Sequence, residues 1–262
     1  MSLQTASLST TKRVLALTLA GLTAFTAPIF AHERHYVFNA EYRTIPQGEF
    51  EVEQSTTSKV PHWNTSNENT FDYETEIEYG ITDQWTIAHY ENWQTENHAG
   101  YDDDGLPAKD VTKYSGFKFE TKYRIGEKGK YWVDPLIYLE IAHDPREPRA
   151  PVVLEEKIVL SKDFGKLNFT YNQIMESVAN RGGRTEHEFT FGSSYELPAS
   201  FRLGAEFKGQ YWNPEGHRNE LAMGPTLAWS GKYFWVAAGA LFGLNRAQDD
   251  TQARVIVGIP IG

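Results

Sequence analysis

The clearest pattern in the chain is an alternation of apolar and acidic side chains from residue 70 to residue 80. The odd positions are aromatic or β-branched, and the even positions from Asp72 to Glu78 are all carboxylates. Successive side chains of a strand point to opposite faces, so this period of two predicts a strand with one apolar and one acidic face. The apolar face lies either in the core of a soluble sheet or, in a membrane barrel, against lipid.

The same rhythm continues along the chain and predicts further strands. Their lengths suit tilted membrane-spanning strands of about ten residues. The twelve predicted strands cover approximately residues 49–59, 70–79, 84–94, 113–125, 131–143, 151–162, 166–178, 185–197, 200–211, 219–229, 233–244 and 251–261.

The connections between these strands alternate in length. Short turns such as 80–83 alternate with longer polar loops such as 95–112. Short turns on one side and long loops on the other are typical of outer-membrane barrels. We therefore predict an all-β fold for residues 49–262, a single antiparallel up-and-down transmembrane β-barrel of about 12 strands. The even number of strands places both ends of the barrel on the short-turn, periplasmic side.

Tryptophans support this interpretation. Trp85, Trp132, Trp229 and Trp235 all lie within a few residues of a predicted short turn. Amphipathic aromatic side chains form girdles at the two interfaces of membrane barrels. We predict that these four tryptophans belong to the girdle at the short-turn side.

The first residues have the features of an export signal. Lys12 and Arg13 precede an apolar run over 14–25, which predicts a cleaved signal peptide at 1–31. No later stretch approaches the ~20 apolar residues of a transmembrane helix. Residues 32–48 then form an N-terminal segment in the periplasm or in the lumen, and the predicted location is the outer membrane of a Gram-negative cell.

Composition narrows the function classes. The formal net charge of −10 argues against a nucleic-acid partner, which needs a basic face. The absence of cysteine excludes disulfides, thiolate catalysis and Cys-based metal sites. The sequence contains neither a Gly-x-Ser-x-Gly elbow nor the His-x-Ser arrangement of outer-membrane phospholipases. We therefore predict no catalytic site and no cofactor.

The polar face of the predicted strands supplies candidate functional residues. If the apolar stripes face lipid, the opposite face lines the lumen. Two interpretations stay open: the charges pair across a narrow bore and fill it, or segregated acidic and basic walls select a small solute. The predicted lumen charges are Glu51, Glu53, Asp72, Glu74, Glu76, Glu78, Lys118, Lys122, Arg124, Arg202, Lys208 and Arg254.

Two clusters could in principle bind metal ions. His32 and His35 lie beside the α-amino group that signal cleavage would create. Residues 102–105, Asp-Asp-Asp-Gly, offer oxygen ligands for Ca²⁺ in loop 95–112 but lack the spacing of an EF-hand. Solvated side chains explain both clusters more simply, so we predict no metal site.

Two stretches resemble a known group of exported proteins. Residues 43–51 (RTIPQGEFE) and 74–85 (ETEIEYGITDQW) are similar to the early hairpins of predicted outer-membrane β-barrel proteins associated with meta-cleavage phenol-degradation pathways, and of related uncharacterised barrel families. The resemblance implies a barrel with an uptake function. It assigns a binding role to no residue of this chain.

The sequence thus predicts an outer-membrane β-barrel, porin-like, that acts as a narrow channel or transporter for a small solute with a charged lumen. Its expected partners are outer-membrane lipid, the outer-membrane assembly machinery during biogenesis, and a small-molecule solute. Two alternatives stay open: a non-transporting structural or interaction barrel with a plugged bore, and a soluble periplasmic β-barrel that binds a ligand inside.

Overall fold

The computed structural model describes residues 34–64, 69–97, 110–146, 150–179, 183–212, 219–245 and 249–261. The predicted signal peptide at 1–31 lies outside these ranges. Apart from one turn of 3₁₀ helix (Pro198–Ser200), the regular elements of the described residues are all strands. They are β1 (Phe50–Val60), β2 (Thr70–Thr82), β3 (Trp85–Glu96), β4 (Val111–Arg124), β5 (Asp134–His143), β6 (Val152–Phe164), β7 (Leu167–Ala179), β8 (Thr185–Glu196), β9 (Phe201–Trp212), β10 (Leu221–Ser230), β11 (Trp235–Gly243) and β12 (Thr251–Ile261).

The strands form one closed barrel. Each strand is antiparallel to its neighbours in the chain, and β1 pairs with β12 over its whole length, from Phe50 opposite Ile261 to Val60 opposite Thr251. Closure leaves the sheet without a free edge, so neighbouring strands satisfy the backbone hydrogen-bonding groups. The predicted antiparallel barrel of twelve strands is confirmed.

The connections alternate between the two ends of the barrel and are on average shorter at one end than at the other. At one end, here called the short-turn end, the connections are 83–84, 125–133, 165–166, 197–200 and 231–234. The opposite end, here called the long-loop end, contains the connections 61–69, 97–110, 144–151, 180–184, 213–220 and 244–250, most of which are longer, although 125–133 at the short-turn end is an exception. The candidate calcium ligands at 102–105 belong to one of these longer connections and lie outside the described residues.

The alternation of side chains along each strand gives the barrel two different faces. Large apolar side chains cover the outer face, and Ile77, Phe119 and Ile158 expose about half of their surface there. The inner face is polar, and Glu51, Glu78 and their neighbours are buried inside. Within the described ranges, no helix has the length and apolar character needed to span a bilayer.

One aromatic prediction was wrong. Trp235 does not join a girdle, because its side chain points into the barrel and is fully buried against Val37, Ala237 and Ile256. Gly258 on the neighbouring strand makes this possible, since a Cβ atom there would lie 2.1 Å from the Trp235 ring. Trp85 and Trp132 do lie exposed at the short-turn end, at 42% and 85%, and Trp229 is half-buried at the same end.

Residues 34–48, here called the inner segment, lie inside the barrel ahead of β1. They contain no regular strand, yet Tyr36, Val37 and Ile45 are fully buried. Their contacts reach several strands around the barrel, as described below. The inner segment therefore crosses the bore near the short-turn end.

Candidate functional site

One buried carboxylate on β9 binds the middle of the inner segment. The backbone N–H groups of Val37 and Phe38 and the side-chain amide of Asn39 each donate a hydrogen bond of 2.8 Å to Glu206 on β9. Glu206 is 2% exposed. Hydrogen bonds to a charged acceptor are stronger than neutral ones, so this carboxylate fixes the middle of the segment.

Hydrogen bonds to two other strands and a turn extend this attachment around the bore. The Tyr36 hydroxyl donates to the Asn168 side chain on β7 at 2.8 Å. The Tyr42 hydroxyl donates to the Gly126 carbonyl at 2.7 Å, in the turn after β4. The backbone N–H of Ile45 donates to the Thr86 hydroxyl on β3 at 2.7 Å. Burial raises the pKa of Tyr36 above its ordinary value, so this hydroxyl keeps its proton for donation.

Inward-facing glycines make room for the inner segment. A Cβ atom on Gly192 would lie 2.5 Å from the Tyr36 ring, and one on Gly239 would lie 2.6 Å from Val37. A Cβ atom on Gly80 would lie 2.0 Å from the Pro46 carbonyl oxygen. Real Cβ atoms do not approach other atoms this closely, so the wall is shaped to receive the segment.

Two arginines of the inner segment meet the acidic wall. Arg43 lies 2.8 Å from both Glu51 and Glu53 and 3.3 Å from Glu78. Arg34 lies 2.8 Å from Glu53. Burial lowers the pKa of both guanidinium groups, but the surrounding carboxylates outweigh it and raise both pKa values above the ordinary range. The arginines therefore stay charged and neutralise part of the acidic wall.

A second ion-pair cluster lies beside the first. Lys122 on β4 forms an ion pair with Glu78 and lies 3.3 Å from Glu120. The Tyr90 hydroxyl also donates to Glu120. Glu76, between these groups on β2, is buried and makes no ion pair among the described residues.

A third cluster spans the closing seam of the barrel. Glu74 on β2 contacts Lys118 of β4 at 2.6 Å and forms an ion pair with Arg254 of β12. Lys118 also lies 3.7 Å from Glu140 on β5. Glu74 thus connects β2 to β4 and to β12, each of which is separated from β2 by one strand, whereas Lys118 and Glu140 lie on paired strands.

Two further predicted charges pair towards the long-loop end. Asp72 lies 2.7 Å from Lys59, and Lys208 lies 3.1 Å from Glu188. Both pairs line the upper part of the interior.

The last two predicted charges lie towards the short-turn end. Arg124 donates to the Asp83 carbonyl and lies over the Tyr42 ring, 5.6 Å from its centre. Arg202 is buried, donates to Ser194 at 3.3 Å and lies 3.8 Å from Glu196.

Two adjoining cavities fill the space that the inner segment leaves open. The lower cavity, about 510 Å³, lies against the inner segment and the acidic wall, and the upper cavity, about 590 Å³, lies towards the long loops. Phe38, Glu74, Lys118 and Arg254 line both of them. The two cavities thus share a charged wall at the middle of the barrel.

Of the candidate metal ligands, only His35 belongs to the described residues. His32 lies outside the described residues, and His35 lies 3.6 Å from Glu41. Three carboxylates, Glu51, Glu53 and Glu78, lie close enough to share a metal ion, but Arg43 occupies the space between them.

Sequence reasoning missed the partners that the inner segment provides. Arg34 and Arg43 belong to no strand, so no alternation marks them. Glu206 alternates with Arg202 and Lys208 on β9, and this inward position is the one signal that could have identified it. Inward glycines such as Gly192 have no functional side chain. The sequence does not identify their role, because that role depends on where the inner segment lies.

A family model and two solved structures are similar to this chain. The model of a family described as "Family of unknown function (DUF6662)" matches residues 28–150. A search of curated proteins finds no match. The resemblance to barrels of phenol-degradation pathways stays a prediction.

The solved structures agree with the barrel architecture. The COG4313 outer membrane channel from Pseudomonas putida F1 is 10% identical, with a TM-score of 0.62 over 86% of this chain and 100% of that chain. The NanC porin is 12% identical, with a TM-score of 0.51 over 80% of this chain and 98% of that chain. At these identities the likeness shows the fold alone. The chain therefore has the fold of outer-membrane β-barrel proteins, with an inner segment across its bore.

Proposed function

We propose that this protein is an outer-membrane channel for a small charged solute. The observation that carries the proposal is the pair of adjoining cavities, about 510 and 590 Å³, that share a charged wall inside the closed barrel. A barrel stabilised only by packing has no need for so much polar open space. Rings of charged side chains are the usual means by which pores select solutes.

The outer face supports a membrane location. Ile158, Leu203 and Val255 are each about half exposed on the barrel exterior. Such a surface is unfavourable in water and matches the hydrocarbon of a bilayer. Lipid is accordingly the partner of the outer face, and a Gram-negative outer membrane is the proposed location.

The path of the solute follows from the two ends of the barrel. The upper cavity lies towards the long loops, whereas the inner segment narrows the short-turn end. Lys118 and Arg254, which both pair with Glu74, line both cavities along this path. Transport would be passive, with the inner segment setting the narrowest point.

Similarity to solved structures adds support. The structure with a TM-score of 0.62 is described as an outer membrane channel, and the other as a porin. The proposal extends that role to the present chain.

One observation favours a second candidate, a non-transporting barrel with a plugged bore, whose loops interact with other molecules. The inner segment is bound by Glu206, by Asn168 and by the carboxylates around Arg43, which are contacts on several sides of the bore. If these contacts never open, no solute passes. Conductance separates the two candidates.

The test is the conductance of the full mature chain, refolded in detergent and added to a planar lipid bilayer. We expect discrete, small conductance steps. A bilayer that stays sealed at every voltage, with protein shown to be inserted, contradicts the channel and supports the plugged barrel. Membrane fractionation of expressing cells tests the location, and recovery of native protein from the soluble periplasm contradicts both candidates.

A further inference from the structure

One buried carboxylate in the interior forms no ion pair among the described residues. Glu76 on β2 is 7% exposed, and its Oε1 atom has no hydrogen-bond partner among the described residues. Its side chain lines the lower cavity. A buried carboxylate without a partner is costly, so this group is either neutralised or bound by something that the chain itself does not provide.

Two further carboxylates face the same point. Glu76, Glu78 and Glu120 each offer one oxygen atom, and these three atoms lie within 4.8 Å of one another. Glu78 and Glu120 are partnered by Lys122, which contacts both of them. Arg43 also contacts Glu78, and the Tyr90 hydroxyl donates to Glu120. Glu76 is therefore the member of the three without an ion pair of its own.

The charge of the whole lower cavity points in the same direction. Its lining includes nine carboxylate side chains and six lysine or arginine side chains. The upper cavity is lined by five acidic and five basic side chains. An excess of negative charge thus occurs in the lower cavity, where Glu76 lies, and not in the upper one.

We propose that Glu76, together with Glu78 and Glu120, binds a compact cation in the lower cavity. Three carboxylate oxygens at this spacing suit a small inorganic cation or the terminal ammonium group of an organic solute, and both have the same chemistry of a concentrated positive charge. Lys122 occupies the side of Glu78 and Glu120, so the cation takes the side of Glu76.

This site gives the proposed channel a preference for cations. That consequence rests on the proposed function, whereas the binding itself does not. A cation entering from the upper cavity first passes a wall with equal numbers of acidic and basic side chains. It then reaches the lower cavity, where carboxylates are in excess. Attraction between opposite charges is strongest where water is scarce, so selection occurs at Glu76.

Calorimetry on the refolded full mature chain tests the binding directly. The probes are calcium chloride and, separately, methylammonium chloride, which distinguish an inorganic cation from an ammonium group. We expect saturable binding of one probe and at least a tenfold weaker affinity in Glu76→Gln. Glu156→Gln is the matched control, because it removes the same charge from the outer face of β6 and should leave the affinity unchanged.

Two results would overturn the proposal. One is the absence of saturable heat with either probe, as expected if Glu76 only takes up a proton. The other is equal affinity in the unmodified chain and in Glu76→Gln.

The zero-current potential in a potassium chloride gradient tests the selectivity. We expect the unmodified chain to prefer potassium over chloride, and Glu76→Gln to reduce the permeability ratio at least twofold while Glu156→Gln keeps it. A conducting channel that prefers chloride, or whose ratio is the same in Glu76→Gln, contradicts the selectivity. A complete lack of conductance contradicts the proposed channel instead, and calorimetry still decides the cation site.

Discussion

Gly192 illustrates how a single residue decides what the barrel can contain. It faces inward on β8, and the Tyr36 ring of the inner segment lies against its Cα atom. Any side chain at this position would occupy the place of that ring. The absence of one methyl group thus determines whether the inner segment can take its position.

The first prediction concerns Gly192→Val. The new side chain should displace Tyr36, because its Cβ atom would lie 2.5 Å from the ring, and overpacking of this kind costs about 1–3 kcal/mol. The side chains of Arg34 and Arg43 are now mostly buried. Displacement of the segment would expose them, together with the peptide bonds that follow them. We expect trypsin to cleave there about tenfold faster, as measured by mass spectrometry.

A matched control separates displacement from a general loss of stability. Ala205→Val adds similar bulk on the outer face of β9, where Ala205 is exposed. Cleavage should stay at the rate of the unmodified chain in this variant. Equal cleavage of all three proteins would show that Gly192 does not control the position of the segment.

The inward charges show what can be predicted residue by residue. The period of two places Glu51, Glu76 and Lys122 on one face, and the structure lines the interior with that face. Sequence spacing does not tell which acid pairs with which base, because partners such as Lys118 and Glu74 lie on strands that are not neighbours. Trp235 was misassigned for a related reason, since proximity to a turn does not tell the direction of a side chain.

At the scale of elements, the inner segment differs from every strand in how it is held. Strands are fixed by ladders of backbone hydrogen bonds, whereas the middle of the segment is held through side chains such as Glu206, Asn168 and Thr86. Side-chain contacts of this kind can be lost without opening the sheet. We therefore expect the middle of the segment to be displaced more easily than any strand.

The second prediction tests this mobility with an introduced disulfide. The chain has no cysteine, so Val37→Cys with Gly239→Cys gives one defined pair, at a place where Val37 lies 2.6 Å from the Cβ position of residue 239. If conduction needs movement of the inner segment, the oxidised double variant should conduct several-fold less than the same protein after reduction. Conductance in planar bilayers with and without a reducing agent measures this.

Each single variant serves as a control, because neither can form the intramolecular bond. The conductance of each single variant should be the same with and without the reducing agent. Identical conductance of the oxidised and reduced double variant, with the bond shown by mass spectrometry, would mean that the segment stays in place during conduction.

The strands themselves were predictable, and β3 shows the limit. Most strands carry an apolar outer face and a charged inner face, so their period is evident. In β3 the inward positions include Ala88 and Tyr90 and the outward positions include His89 and Glu91, so polarity does not separate the two faces. The pairing of β3 with β2 and β4, not its own pattern, fixes its orientation.

At the scale of the whole molecule, the outer face determines which solvent the barrel needs. A soluble barrel with this fold would cover its exterior with polar side chains, yet Ile158 at the middle of β6 is 54% exposed, and Ile137, its neighbour on β5, is 51% exposed. These side chains have no second protein layer against them among the described residues. Hydrocarbon is the environment that stabilises such a surface.

The third prediction follows from the depth of Ile158, the seventh of the thirteen residues of β6. Ile158→Arg places a charge near the middle of the bilayer and should destabilise the folded barrel by about 2–4 kcal/mol. Ile261→Arg is the control, because Ile261 is equally exposed but lies at the end of β12, at the short-turn end, where the cost should be about 0–1 kcal/mol. Equilibrium unfolding in urea with phospholipid vesicles measures the free energy of unfolding of both variants.

The difference between the two free energies is the decisive quantity. In water both positions are exposed to the same degree, and an arginine would cost little at either. Equal, small effects would therefore contradict a membrane location, whereas a cost that depends on depth requires a hydrocarbon layer around the barrel.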